Sequence, residues 1–302
     1  MKDYQLSRDL TAAGVSQKEL QRLQRNGELE RLRHGVYVAP MERDLEAEHR
    51  LRVEATMELS SGESVASFGS AAVMHDLPIW SNAVRKVHLT RNRVAGGRIR
   101  PNVHLHVAPL GAADVAEVDG IPVTSLARTF VDHARTVSIA QSVAAGDMAL
   151  RLGMDLAEMV EQLEMAKARR GVSRARHAAA LLDADSESAG ESISRVVLHQ
   201  NQVPRPELQV EILGAELDED ARVDFLWREY KVIGEFDGKI KYGRLLRPGE
   251  TPADAVIREK IREDRLRDLG YIVVRWIWDD LWHPQILIAR IERAFARAGL
   301  WV

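Results

Sequence analysis

Residues 231–242 read KVIGEFDGKIKY, a stretch in which small or apolar side chains alternate with charged ones. Alternate residues of a β-strand face the same side of a sheet. Ile233, Glu235, Asp237 and Lys239 would therefore share one face. The stretch predicts a strand that places two carboxylates and one ammonium group side by side.

A second carboxyl-bearing strand precedes this stretch. Residues 222–227, RVDFLW, are apolar except for Arg222 and Asp224, and only three residues separate them from the next strand. So short a link favours an antiparallel hairpin, which would bring Asp224 beside Glu235 or Asp237. Carboxylates gathered on an apolar sheet repel one another unless a cation or a proton relieves them. We expect Mg²⁺ or Mn²⁺ to fill that role, because hard divalent cations prefer oxygen ligands.

The chain around these strands alternates helical and strand-like patterns. The predicted elements are a helix near 190–201, strands near 208–213, 222–227 and 231–238, a helix near 253–269, a strand at 271–278 and a helix from 284. This αβββαβα order predicts a mixed sheet covered by helices. The acidic, small-residue stretch DADSESAG at 183–190 is interpreted as a linker, so this domain is placed at 183–302.

One cation interrupts an apolar strand of this domain. Arg275 lies in YIVVRWIW at 271–278. A buried or half-buried guanidinium needs an anionic partner. Either the carboxylate cluster or a DNA phosphate would supply one.

Taken together, Asp224 and the run EFDGK at 235–239 resemble the PD-(D/E)XK nuclease signature. The pattern E-x-D-G-x-x-[HK]-Y at 235–242 is similar to the very-short-patch-repair (Vsr)-like branch of that family. The resemblance implies a restriction-endonuclease-like αβββαβ domain that cleaves DNA with Mg²⁺. It covers about 115 residues, and no proline precedes Asp224 as the signature would require.

The same resemblance implies roles for individual residues. Asp224 and Asp237 would bind the metal, Glu235 and Glu191 would assist as ligand or base, and Lys239 would stabilise the transition state. Two further positions are similar to the family pattern: Gln209 matches a polar residue of the first strand, and Lys241 is a reserve for Lys239. The alternatives are a polar face with surface ion pairs, or a nuclease fold that has lost its activity.

The first 40 residues carry a different pattern. Residues 6–38 read as a short helix, a turn at Gly14, a second helix capped by Ser16 and closed by Gly27, and two strand-like pieces around Gly35. Helix, turn, helix and hairpin is the order of a winged helix, which is placed at 1–40. We predict a DNA-binding module there.

The second of these helices has a basic face. Lys18, Arg22 and Arg25 recur at spacings of four and three residues, and Arg31 and Arg33 follow in the hairpin. Such a face can meet phosphates or base edges of DNA. The alternative is a solvated helix face without a ligand.

This region resembles the winged-helix domain of AbiEi-type antitoxins, which are transcriptional repressors of toxin–antitoxin operons. The segment ending in HGVYV carries that resemblance, and GSAAVMHDLP at 69–78 and GIPVTSLARTFVDHA at 120–134 extend it. The resemblance implies DNA as a partner, with a cognate toxin or defence-system protein as a second one. Residues 41–182 are predicted to form an α+β middle domain.

The middle domain is rich in histidine. His104 and His106 alternate onto one strand face, while His75, His88 and His133 lie elsewhere in the sequence. No acid or third imidazole stands at a recognisable ligand spacing from the first two. We interpret all five as structural or exposed histidines.

The composition of the chain excludes several kinds of functional site. The chain has 302 residues, a net charge of −3 and no cysteine, which excludes disulfides, thiolate zinc sites and cysteine nucleophiles. The negative net charge means that any DNA binding must rest on local basic patches. Without an apolar run of membrane-spanning length or an apolar signal core, we expect a cytoplasmic protein with no membrane partner.

Two functions follow from the sequence. The first is a Mg²⁺-dependent endonuclease or nickase that acts on DNA, with defence against phage or plasmids as its setting. The alternative is a non-enzymatic transcriptional repressor or antitoxin of a toxin–antitoxin system, in which the nuclease fold is inactive. The predicted fold class is α/β, or α+β overall, with three successive domains.

Overall fold

A computed structural model describes residues 3–60, 63–212, 222–238 and 251–299 of the chain. The chain divides into two compact units. Unit 1 comprises residues 1–145 and 152–177, and unit 2 comprises residues 146–151 and 178–302. None of the described helices is both long enough and apolar enough to cross a membrane.

Unit 1 begins with a winged-helix-like arrangement. Its elements are β1 (Gln5–Leu6), α1 (Ser7–Ala12), α2 (Gln17–Arg25), β2 (Glu30–Arg33) and β3 (Val36–Val38). The Ser16 hydroxyl caps α2 by accepting from the Glu19 N–H at 3.2 Å. Gly14 and Gly27 have φ of +93° and +72°, which only glycine adopts without strain, so they close the turns around α2. The three strands pair antiparallel in the order β1-β3-β2.

The core beneath this sheet reaches beyond residue 40. Helix α3 (Leu45–Leu59) contributes Ala55 and Leu51 to the cluster formed by Tyr4, Leu6, Leu32, Val36 and Val38. The predicted segment 1–40 therefore shares a compact unit with most of the predicted segment 41–182, whose residues 146–151 and 178–182 belong to unit 2. The apolar and polar pattern of the first 40 residues could not show that α3 joins their core, because the contacts join residues far apart in sequence.

The rest of unit 1 is built on a six-stranded sheet. Its elements are β4 (Val65–Ala66), α4 (Phe68–Met74), β5 (Val87–Arg91), β6 (Arg98–Ile99), β7 (Val103–Val107), β8 (Val115–Val118), β9 (Ile121–Thr124), α5 (Leu126–Ala134), α7 (Leu156–Met165) and α8 (Val172–Ala179). Helix α6 (Ile139–Arg151) lies between α5 and α7. The strand order is β6-β7-β5-β4-β9-β8, with β5 parallel to β7 and β4 parallel to β9. Val53, Met74 and Leu89 are among the residues buried on one side of the sheet.

Unit 2 contains the elements α9 (Ala189–Gln200), β10 (Glu207–Glu211), β11 (Arg222–Trp227), β12 (Val232–Phe236), α10 (Pro252–Asp268), β13 (Ile272–Trp276), α11 (Trp278–Trp282) and α12 (Pro284–Arg297). The sheet order is β10-β11-β12-β13, antiparallel except for the parallel pair β12 and β13. The predicted order of helices and strands is confirmed, with the short α11 added before the last helix.

Two glycines allow unit 2 to pack closely. A Cβ on Gly190 would lie 1.9 Å from the Phe236 ring, and one on Gly234 would lie 2.5 Å from the Trp276 ring. The aromatic rings thus occupy the space that side chains would need. The predicted linker at 183–190 is not a connection between the units, because unit 2 already begins again at residue 178. The Asp183 N–H donates to the buried Asp147 carboxylate at 2.8 Å, which holds this stretch within unit 2.

Candidate DNA-binding surface and candidate carboxylate site

The basic face of α2 is exposed. Lys18, Arg22 and Arg25 all lie on the surface of the winged-helix-like region. Arg22 pairs with Glu19 at 2.7 Å and with Glu28 at 3.4 Å, so part of its charge is balanced. Lys18 and Arg25 thus supply the larger share of the net positive charge on this face.

The two arginines of the wing differ. Arg31 is exposed on β2, whereas Arg33 is half-buried and its guanidinium donates to the Thr56 hydroxyl of α3. Burial lowers the pKa of Arg33. The Arg33 side chain thus joins the wing to α3, so its contact with DNA stays a prediction. Lys18, Arg22, Arg25 and Arg31 form the exposed part of the predicted basic surface.

In unit 2, strands β11 and β12 stop pairing close to the predicted acidic residues Asp224 and Glu235. Backbone pairing of β11 with β12 ends at Phe225 and Gly234. Beyond that point the Phe236 N–H donates to the Asp224 carboxylate at 2.8 Å. The Asp224 side chain thus accepts a hydrogen bond from β12 that the backbone of β11 does not accept there. Asp224 lies where the two strands diverge.

Asp224 and Glu191 meet through an amide. The Gln209 Nε2 lies 2.8 Å from Glu191 Oε2 and 3.4 Å from Asp224 Oδ1. Glu191 lies in the first turn of α9 and also accepts from the Ser188 hydroxyl at 2.6 Å and from the Glu187 N–H at 2.8 Å. Burial, and then the negative charge of Glu191, raise the pKa of Asp224 to about 6. The prediction that α9 brings Glu191 towards Asp224 agrees with this geometry.

Glu235 has a different environment. It is 9% exposed, and its two oxygens lie 2.5 Å from Arg262 Nη2 and 2.8 Å from Arg275 Nε. Arg275 also pairs with Glu259 and with Glu263, and Arg262 pairs with Glu259. Three carboxylates and two guanidinium groups thus form one network. The half-buried Arg275 has the anionic partner that the sequence demanded, and it is Glu235.

The ion pairs of Glu235 bear on the predicted ligand set, which stays a prediction. Among the described residues, His88, His104 and His106 are the one group of three or more histidine or acidic side chains whose ligand atoms all lie within 4.8 Å of one another. Asp224, Glu235 and Asp237 form no such group, and both oxygens of Glu235 are paired with arginines. Asp237 is half-buried, and its N–H donates to the Trp276 carbonyl at 2.8 Å. Lys239 and Lys241 lie outside the described residues.

A fit to Mg²⁺ rests on the remaining pair. Glu191 and Asp224 offer two carboxylates, which is enough for an ion that keeps several waters. The amide N–H₂ of Gln209 lies between them, so its oxygen would have to turn towards the ion. We conclude that Glu191 and Asp224 fit a hydrated Mg²⁺ or Mn²⁺, and that the set containing Glu235 does not.

Sequence reasoning missed two features. It did not identify Arg262 as a partner of Glu235, or Glu259 and Glu263 as further partners of the two arginines, although positions 259, 262 and 263 lie on one face of α10. It also missed the third imidazole beside His104 and His106. The signal was present in the strands VHLT and VHLHV, whose parallel pairing aligns His88 with His104.

The chain is similar to two family models, to two curated relatives and to one solved structure. Residues 6–40 match the family model described as a transcriptional regulator, AbiEi antitoxin, and residues 65–184 match the AbiEi antitoxin C-terminal domain. The uncharacterized proteins MT2308 and Rv2248, from two strains of Mycobacterium tuberculosis, are each 32% identical over 284 residues, which is 91% of this chain and 96% of theirs. The crystal structure of the RV2827C protein from Mycobacterium tuberculosis aligns with a TM-score of 0.38 and 14% identity, over 63% of this chain and 74% of that one.

Proposed function

The chain belongs to the AbiEi antitoxin family of transcriptional regulators, and on that premise we propose that it represses transcription by binding operator DNA through its N-terminal region. The observation that carries this proposal is the exposed basic face of α2. It lies within the matched segment 6–40 and projects Lys18 and Arg25 into solvent. A cognate toxin is the proposed second partner, and the cytoplasm is the proposed site of action.

The arrangement of α2 suits this role. In a helix–turn–helix protein the second helix enters the major groove, and neighbouring wings contact the phosphate backbone. The hairpin of β2 and β3 follows α2 directly and carries the exposed Arg31. Each Lys or Arg that neutralises a phosphate releases a counterion, which makes binding dependent on salt.

The test compares full-length variants on two DNA fragments. Fluorescence anisotropy measures binding to the DNA upstream of the protein's own gene and to a scrambled fragment of equal length, over a series of salt concentrations. We expect Lys18→Ala and Arg25→Ala each to reduce the slope of log affinity against log salt by about 1. The matched control is Arg93→Ala, an exposed arginine in the loop after β5, which should leave the slope unchanged.

Two results would contradict the proposal. One is equal affinity of the unaltered protein for both fragments at every salt concentration. The other is a Lys18→Ala/Arg25→Ala double variant that binds as the unaltered protein does. Melting temperatures of all variants show that the fold is retained.

A second candidate is a metal-dependent endonuclease or nickase in unit 2. The approach of Glu191 to Asp224, with its unfavourable charge repulsion, favours this candidate. Mg²⁺ or Mn²⁺ would supply charge neutralisation at a phosphate and a metal-bound water. Glu191 and Asp224 would hold the ion, Gln209 would orient them, and Lys239 remains the proposed cation beside the transferred phosphate.

The nuclease candidate is tested with supercoiled plasmid in the presence of Mg²⁺ or Mn²⁺. Nicking should be lost in Asp224→Asn and kept in Asp268→Asn, which alters an exposed acid at the end of α10. If the unaltered protein nicks neither plasmid nor single-stranded DNA nor RNA with either metal, the candidate is excluded. Repression by the winged-helix-like region does not depend on that outcome.

A further inference from the structure

The middle sheet of unit 1 gathers three histidines on one face. Strands β5 and β7 pair in parallel, with His88 opposite His104 and Thr90 opposite His106. Because alternate residues share a face, all four side chains lie on the same side of the sheet. Two strands that are separate in sequence thus combine their imidazoles.

The imidazole nitrogens are close together. His88 Nδ1 lies 2.9 Å from His106 Nε2, and one nitrogen from each of the three rings lies within 4.8 Å of the others. The ring centroids of His104 and His106 are 3.8 Å apart, and those of His88 lie 5.1 Å from His106 and 5.2 Å from His104. These distances place three lone-pair donors around one point.

Zinc coordination requires similar spacings. Zn–N bonds of about 2.0–2.1 Å in a tetrahedron put the ligand nitrogens roughly 3.3 Å apart. The 2.9 Å separation of His88 and His106 needs to open by only a few tenths of an ångström. The third nitrogen, on His104, lies within 4.8 Å of the other two and would have to approach them to complete the ligand set.

The three rings are held in place by their neighbours. Phe68 stacks on His106 at 4.1 Å and lies 5.6 Å from His88. The backbone N–H of His88 donates to the Ser70 hydroxyl at 2.8 Å, and that hydroxyl lies 2.9 Å from His49 Nε2. The Phe68 ring thus packs against the His106 imidazole, and the Ser70 hydroxyl anchors the backbone of β5 at His88.

The protonation state favours coordination. Burial lowers the pKa of both His88 and His106 to about 3, and it lowers the pKa of His104 as well. Neutral imidazole is the form that binds metal ions. Each neutral ring has one nitrogen with a free lone pair, so the proton shared between His88 Nδ1 and His106 Nε2 has to move to another ring nitrogen before both can bind one ion.

The charged groups around the three histidines affect which ions can bind there. Lys86, Arg135 and Arg169 act on these imidazoles, and His49 and His133 also lie near His88. Their positive field opposes a bare cation, so binding must come from coordinate bonds of imidazole, which suits zinc, copper and nickel. The same field favours an anion as the fourth ligand.

We propose that His88, His104 and His106 bind one divalent transition metal ion of the zinc class on the middle sheet, with the fourth position open to water or an anion. This site is separate from the carboxylates of unit 2 and from the basic face of α2. It adds a metal-binding property that DNA recognition does not require.

The experiment uses the full chain, purified without a polyhistidine tag and treated with a chelator that is then removed. Isothermal titration with Zn²⁺ gives the stoichiometry and affinity, and Co²⁺ substitution gives the visible absorption of a tetrahedral site. We expect one ion per chain. His104→Gln and His106→Gln should each weaken binding by more than about a hundredfold, exceeding the cost of altering an outer contact.

The matched control is His177→Gln, which removes an exposed histidine of α8 and should leave stoichiometry and affinity unchanged. Melting curves without metal show whether each variant folds, and a Zn²⁺-dependent rise in melting temperature should occur only where the three imidazoles remain. Zinc affinity that is the same in His104→Gln/His106→Gln as in the unaltered protein would overturn the proposal. So would the absence of Zn²⁺ binding by the folded, unaltered protein.

Discussion

The histidine cluster of unit 1 and the carboxylate cluster of unit 2 both place ligand-type side chains on one face of a sheet. They differ in how their charge is balanced. Arg262 and Arg275 balance Glu235 from within, whereas the three imidazoles become neutral through burial. A cluster that already contains its counter-charges has little need of an ion, and a neutral cluster can accept one without charge repulsion among its ligands. The comparison indicates that the charges within a cluster matter for metal binding as well as the kinds of ligand it contains.

The largest expected effect on stability comes from breaking the ion pairs of Glu235 in unit 2. Glu235→Gln removes the most buried carboxylate of the network and breaks its ion pairs with Arg262 and Arg275 at once, although both arginines keep Glu259 as a partner. We expect a loss of about 4 kcal/mol in the free energy of unfolding, as for breaking a buried ion pair. Urea unfolding measures it.

The control for this change is Glu207→Gln, which removes an exposed pair with Arg228. We expect no measurable change there, because solvent screens exposed pairs. A Glu235→Gln protein as stable as the Glu207→Gln protein would mean that the network contributes nothing to the fold.

An effect of opposite sign is expected at Asp224, because its charge is unbalanced. Its folded-state pKa is raised from 3.8 to about 6, mainly by burial. The folded protein therefore binds this proton more tightly than the unfolded chain does, and stability is lost as pH rises through 6. A shift of about 2 units corresponds to about 3 kcal/mol.

Asp224→Asn should therefore stabilise the protein by about 3 kcal/mol near pH 8, and the gain should vanish below about pH 4. Urea unfolding over a pH series in the presence of EDTA checks this prediction. Asp268→Asn, at an exposed position, should show no such pH dependence. An Asp224→Asn protein that is no more stable than the unaltered one at pH 8 would refute the assignment of an unbalanced carboxylate.

The smallest expected effect on stability is at His133, which lies near the cluster of three histidines. His133 is about 1% exposed, and neither of its ring nitrogens has a hydrogen-bond partner among the described residues. An unpaired buried polar group costs about 1–3 kcal/mol. His133→Phe should stabilise the protein by about 1 kcal/mol in thermal unfolding. It should also leave Zn²⁺ affinity unchanged, because His133 is not one of the three proposed ligands; loss of Zn²⁺ binding would assign it a role in the site.

Much of the secondary structure could be predicted because it is a local property. The apolar run at 222–227 and the alternation in 231–236 specified β11 and β12, Ser16 specified the start of α2, and Gly27 its end. Charge was also read correctly at Arg275, since a guanidinium in an apolar strand requires an anion wherever it folds. The approach of Glu191 to Asp224 was inferred from a family resemblance rather than from spacing.

What the sequence by itself determined, then, is the order of elements, the residues able to ionise or bind metal, and the membership of a regulator family. Only the tertiary structure decided which of those residues meet. Arg33 turned to Thr56, Glu235 met two arginines of α10 and β13, and His88 joined His104 through the parallel pairing of β5 with β7. The physical reason is that periodicity along one element fixes the face on which a side chain lies, whereas strand register and helix packing depend on contacts between distant residues, and those contacts set distance, burial and local charge.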